Sequence, residues 1–167
     1  MPISSERPTV LVVDDEPFNL SLMDGILSKY YNVQLADTSL KALEIAFADP
    51  PDLILLDVMM PDVDGFEICR RLMNNPETNH VPVIFITAKN EIKDEELGFA
   101  VGASDFIHKP ISAPIVAARV RTHLKIKFMQ DYLRSKNAQL QETAYEKSSE
   151  LQQLKDFMWG SSQYAVH

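Results

Sequence analysis

Asp57 ends an unbroken apolar run, Leu53-Ile54-Leu55-Leu56, and is followed at once by Val58-Met59-Met60-Pro61. A short apolar run bounded by turn residues reads as a fully buried strand, which would deliver one carboxylate to its C-terminal end. Three other segments end in polar groups in the same way. Val10-Leu11-Val12-Val13 runs into Asp14-Asp15, Val83-Ile84-Phe85-Ile86 into Thr87, and Phe106-Ile107-His108 into Lys109-Pro110. In an open parallel α/β sheet such strand ends lie along one edge, where ligands bind. Three carboxylates, a hydroxyl and an ammonium would then converge from distant parts of the chain. Clustered carboxylates suit a hard divalent cation, and the ammonium and hydroxyl suit phosphoryl oxygens.

Each of these residues has an ordinary structural use when taken singly. A Lys–Asp pair can be purely structural, a Thr at a strand end is usually a cap, and Asp14-Asp15 could start a helix with Glu16 in its first turn. What favours chemistry is the whole constellation. The elements that would position it alternate five times along the chain. Strands are predicted near 9–13, 32–36, 53–57, 82–87 and 105–108, with helices near 17–29, 39–48, 65–74 and 92–101 between them. Turn chemistry at Asp49-Pro50-Pro51, Asp62-Val63-Asp64-Gly65 and Asn74-Asn75-Pro76 punctuates the order. Thr38 or Ser39 can cap the second helix, and Ser112 the last, with Pro114 in its first turn. The second strand, Asn32-Val33-Gln34-Leu35-Ala36, alternates in polarity and should lie near the sheet edge. Alternating strands and helices imply an α/β fold, with a parallel sheet covered on both faces.

The chain resembles the receiver domain of two-component response regulators. The matching pieces are Asp14-Asp15, Asp57 with Met60-Pro61-x-x-Asp64-Gly65, Thr87-Ala88, and Gly102-Ala103-x-Asp105-Phe106-x-x-Lys109-Pro110. The resemblance covers roughly residues 8 to 124. It implies a flavodoxin-like doubly wound sheet of five strands in the order 2-1-3-4-5. It also implies that a phosphohistidine on a sensor histidine kinase or a histidine phosphotransfer protein donates a phosphoryl group to Asp57. Asp15 and Asp57 would ligate Mg²⁺ (or Mn²⁺) directly, Asp14 through water, and the Met59 carbonyl would add an oxygen. A metal-free cluster of this kind should hold at least one carboxyl with a raised pKa. Lys109, the Thr87 hydroxyl and the Ala88 N–H would take the phosphoryl oxygens. In receivers an aromatic residue on the fifth strand, here Phe106, turns inward when the residue at Thr87 moves to the phosphoryl group. The resemblance further implies that the domain catalyses only its own phosphorylation and dephosphorylation and is not an enzyme acting on other substrates.

Composition limits the alternatives. A chain of 167 residues fits one domain and an appendage, and 46% hydrophobic with 24% charged residues is an ordinary globular composition. The net charge of −8 lies wholly within residues 1–125; residues 126–167 hold five acids and five Lys or Arg. Neither part has the basic surplus of a nucleic-acid-binding module. Cys69 is the only cysteine, which excludes an internal disulfide and fits a reducing, cytoplasmic setting. No apolar run approaches the ~20 residues of a membrane span. His80, His108, His123 and His167 lack metal-ligand spacing. Asp62-x-Asp64-Gly65 hints at a calcium loop but lacks the further ligands and final Glu of an EF-hand. A dehalogenase-type phosphatase would carry a second Asp where Met59 stands.

Between Pro114 and Gly160 there is no proline or glycine, so the last helix should continue past the domain edge. With Ile126, Leu133, Leu140, Lys147 and Leu154 at d, the a positions are Gln130, Asn137, Ala144, Leu151 and Met158. Seven of these ten are apolar, which reads as a modest coiled coil, and Asn137 at a favours a parallel homodimer in register. The expected organisation is a receiver over 1–124, a coiled-coil helix over 125–160 and a disordered tail over 161–167. An output domain is expected to lie outside the chain. The competing reading is a phosphorylation-incompetent scaffold that works by dimerisation.

Overall fold

The computed structural model describes residues 6–88 and 92–164. Five strands, β1 (Thr9–Val13), β2 (Asn32–Ala36), β3 (Leu53–Asp57), β4 (Val83–Thr87) and β5 (Asp105–His108), alternate with α1 (Pro17–Leu27), α2 (Ser39–Ala48), α3 (Gly65–Met73) and α4 (Ile92–Ala100). A final helix, α5, spans Ala113–Tyr164. The strands form one parallel sheet in the order β2-β1-β3-β4-β5.

The apolar runs form central strands because successive side chains of each feed opposite cores. Leu11, Val13, Ile54, Leu56, Val83 and Phe85 face one cluster, closed by Ala42 and Leu43 of α2 and Ile68, Cys69 and Leu72 of α3. Val10, Val12, Leu53, Leu55, Ile84 and Ile86 face the other, closed by Leu20, Met23 and Leu27 of α1 and Val116, Val120 and Leu124 of α5. The alternating strand β2 lies at the sheet edge, partly exposed along most of its length.

Local chemistry fixes the helix ends. The Thr38 hydroxyl accepts the Lys41 N–H at 3.1 Å, and an Asp64 carboxylate oxygen accepts the Glu67 N–H at 2.9 Å. Gly102, at φ +109°, supplies the left-handed residue just beyond α4, where glycine is favoured. The Val116 N–H bonds the Ser112 carbonyl at 3.0 Å in the first turn of α5.

Two compact units divide between Lys127 and Phe128. In the first, the Lys127 ammonium lies 3.4 Å from Asp52 Oδ1, while Asp52 Oδ2 accepts the Thr9 N–H at 2.8 Å. In the second, Leu133, Leu140, Leu151, Leu154 and Met158 are all exposed. The backbone is helical through Tyr164, past the point where a tail was expected to begin; residues 165–167 lie outside the described residues. Among the described residues no helix is long and apolar enough to cross a membrane.

Candidate functional site

Parallel strands carry all their C-terminal ends to one edge of the sheet, and the polar residues that end the apolar runs meet there. Asp14 follows β1, Asp57 closes β3, Thr87 closes β4, and Lys109 follows β5. Asp14, Asp57 and Thr87 are each only 2% exposed, while Asp15 is exposed. Asp14, Asp15 and Asp57 each offer a carboxylate oxygen within 4.8 Å of the others. The Lys109 ammonium sits 2.8 Å from Asp57 Oδ2 and 3.5 Å from Asp14 Oδ2. The Lys109–Pro110 peptide bond is cis, and the Lys109 N–H donates to the Thr87 carbonyl at 2.9 Å.

Backbone donors hold the two buried carboxylates in place. The Met59 N–H donates to Asp57 Oδ1 at 2.9 Å, and the Glu16 N–H to Asp14 Oδ1 at 2.9 Å. The capping alternative for Asp14-Asp15 does not hold. Glu16 occupies the N-cap position of α1 without a side-chain cap bond, and Pro17 opens the helix. The Asp14 carboxyl lies above the ordinary carboxylate range. Burial is the chief cause; the Glu16 N–H and Lys109 pull it down, and the charge of Asp57 pushes it further up. A raised carboxyl was expected here from mutual repulsion, but burial outweighs repulsion. Burial also works against the Lys109 ammonium, yet its hydrogen bond and charge pairing with Asp57, backed by Asp14 and Glu16, raise it above the ordinary lysine value.

The donor set fits a hard divalent cation. Among the described residues, three carboxylates cluster beside the Lys109 ammonium, which leaves a surplus of negative charge, and carboxylate oxygens are the donors such a cation takes. Beside Asp15 lies a cavity of about 270 Å³ lined by Val58, Met59, Met60, Pro61 and Asp64. Ala88, immediately after β4, is exposed. Phe106 points inward at 5% exposure, with its ring centroid 5.5 Å from that of Phe85 and 5.1 Å from that of Phe99.

The contacts of two further residues were not read from the sequence. A Cβ on Gly65 would lie 2.6 Å from the Asp57 carbonyl oxygen and 2.9 Å from Val58 Cα, so only glycine lets α3 begin against the backbone of Asp57. Asp62 accepts N–H bonds from Ser39 and Leu40, both at 3.2 Å, which fastens the loop after β3 to the start of α2. Slight burial pushes its carboxyl up, but these donors outweigh that and lower it. The motif signalled Gly65 as a turn residue. Nothing local signalled the tie from Asp62 to α2, because Ser39 and Leu40 lie more than twenty residues away.

The response regulator receiver domain model matches residues 10–121. The chain is 42% identical over 148 residues to the protein named probable cyclic di-GMP phosphodiesterase of Vibrio cholerae serotype O1, covering 89% of this chain and 34% of that one. It is 45% identical over 130 residues to the response regulator PleD of Caulobacter vibrioides, covering 77% of this chain and 29% of PleD. The chain thus spans about a third of the length of these relatives. Among solved structures, the receiver domain of a signal transduction histidine kinase from Syntrophus aciditrophicus superposes with a TM-score of 0.66 at 31% identity, covering 71% of this chain and 90% of that one. The chemotaxis protein CheY4 of Vibrio cholerae gives 0.67 at 26% identity, covering 70% and 98%. With this strand order and these matches, the chain belongs to the response regulator receiver domain family.

Proposed function

We propose that Asp57 is a phosphoacceptor and that the receiver passes its phosphorylation state to α5. The observation that carries this reading is the Lys109 ammonium at 2.8 Å from a buried Asp57, beside two further carboxylates. The phosphorus–nitrogen bond of a phosphohistidine on a kinase or phosphotransfer protein breaks as an Asp57 oxygen bonds to phosphorus, leaving an acyl phosphate. Lys109 exchanges its Asp57 contact for a phosphoryl oxygen. The Thr87 hydroxyl and the Ala88 N–H take another, so the charge meets prepositioned donors. Water later attacks phosphorus and restores the carboxylate. A Mg²⁺ held by Asp14, Asp15, Asp57 and the Met59 carbonyl would supply charge neutralisation at the phosphoryl oxygens when bound.

Residues 1–124 act as the receiver and 125–160 as a coil that joins a second copy of the chain. Exposed leucines at Leu133, Leu140, Leu151 and Leu154 support that pairing. In a parallel arrangement Glu150 at a g position faces Lys155 at the e position of the partner helix, an attractive pair. The name of one relative, the probable cyclic di-GMP phosphodiesterase of Vibrio cholerae, suggests cyclic-dinucleotide turnover as the class of output under control. Cys69, buried and pushed up to about 11 mainly by desolvation, is an inert thiol and suits a cytoplasmic location.

The reading is tested with acetyl phosphate and Mg²⁺, following covalent modification by intact mass. The native protein gains one phosphoryl group and Asp57→Asn gains none. Equal modification of the two refutes the assignment, and no modification of either supports the scaffold reading.

A further inference from the structure

The Phe106 ring packs against Phe85 of β4 and Phe99 of α4. Gly98, buried within α4, lies against the same ring. A Cβ built on Gly98 would fall on Cζ of the Phe106 ring and come within 3.1 and 3.2 Å of its two Cε atoms. Glycine inside a helix is about 1 kcal/mol worse than alanine. Gly25 of α1 makes the contrast, since a Cβ there would meet nothing within 4 Å.

We propose that Gly98 is the seat of the inward Phe106 ring, and that the seated ring couples β5 to α4. The ring tip rests on the α4 backbone and also backs Phe99, which is 51% exposed on the outer side of the helix. Withdrawing the ring removes support from a surface residue and opens a void beneath α4 that the helix must fill. A second contact joins the same elements, His108 Nε2 lying 3.0 Å from Glu95 Oε1. A methyl group at 98 and an inward Phe106 exclude each other, so the residue at 98 sets which position of the ring is available. The signalling consequence rests on the reading of Phe106 as the switch residue; the steric coupling does not.

A double-mutant cycle in urea on the full chain tests the seat, with Gly98→Ala, Phe106→Leu and their combination, and Gly25→Ala as control. Gly25→Ala should stabilise, as helix propensity dictates. Gly98→Ala should not stabilise the native protein but should stabilise the Phe106→Leu protein, whose shorter side chain leaves room for the methyl. The effect of Gly98→Ala on the unfolding equilibrium constant should differ at least about fivefold between the two backgrounds. A smaller difference overturns the seat, and so does failure of the double variant to fold. Amide exchange of α4 with and without fluoroberyllate and Mg²⁺ reads the signalling arm. Phe106→Leu and Gly98→Ala should each lose the ligand-dependent change. If the cycle shows coupling but both variants keep that change, the seat stands and the switch role of Phe106 falls. If the coupling is absent and the change persists only with Phe106 intact, the seat falls and the switch stands.

Discussion

Asp57 and Lys109 lie far apart in sequence and 2.8 Å apart in space, and at the scale of single residues that contact carries the account. The ammonium offsets the charge of two buried carboxylates. Lys109→Arg keeps the charge but widens the donor into a fork. The variant should still gain a phosphoryl group by intact mass, yet lose the phosphorylation-dependent change in association. Full retention of that change would show that the compact ammonium is not needed for coupling. Removing a carboxylate acts on the cation instead. Asp15→Ala should weaken Mg²⁺ binding at least tenfold, about 1.4 kcal/mol, measured by calorimetry; unchanged affinity would exclude Asp15 as a ligand. These residues were legible in the sequence because each ends a buried run, and a parallel sheet leaves such ends only one place to go. Asp62 and Gly98 were not, because the first acts on the N-terminus of another helix and the second on a ring brought to it by the fold.

At the scale of elements, a carboxylate at the start of β5 ties that strand to the base of α5. The Arg119 Nη1 atom lies 2.8 Å from both Asp105 oxygens, and His123 Nε2 lies 2.9 Å from one of them. Burial raises the Asp105 carboxyl, but the His123 and Arg119 hydrogen bonds and the Phe106 N–H prevail, leaving it below the ordinary 3.8. A depressed carboxyl stabilises the fold above its unfolded-state value and loses that contribution as pH falls through its folded-state value. The stability gap between the native protein and Asp105→Asn should therefore be present at about pH 5 and close as the pH falls below about 4, as urea unfolding at stepped pH would report. A gap that persists undiminished at about pH 2 would contradict the tie. The strands were legible almost to the residue, because uninterrupted Val, Ile and Leu runs can be buried on both faces only in such a sheet. The end of α5 was not. Gly160 and the serines after it read as a stop, while the backbone continues helical through Tyr164.

At the scale of the whole molecule, the account turns on a helix that buries a row of apolar residues in one unit and exposes its leucines in the other. Val116, Val120 and Leu124 are buried, whereas Leu133, Leu140, Leu151 and Leu154 are more than half exposed. An isolated helix of this kind is marginal in water, and the proposed coil would cover its leucines with a partner helix. Light scattering should give a dimer for the full chain and a monomer for Leu133→Ser combined with Leu140→Ser, with fluoroberyllate shifting the dissociation constant of the native protein. A monomer under every condition would remove the coil from the account, and a dimer untouched by the serines would move the interface to the receiver.

The most direct test of the central claim locates the acyl phosphate itself. Borohydride reduces an aspartyl phosphate to homoserine, so protein treated with acetyl phosphate and Mg²⁺, reduced and digested, can be read residue by residue in a mass spectrometer. Homoserine should replace aspartate at position 57, should depend on Mg²⁺, and should disappear when Asp15 is alanine. Homoserine at position 14 or 15, or an unreduced Asp57 in protein that has gained a phosphoryl group, would contradict the assignment.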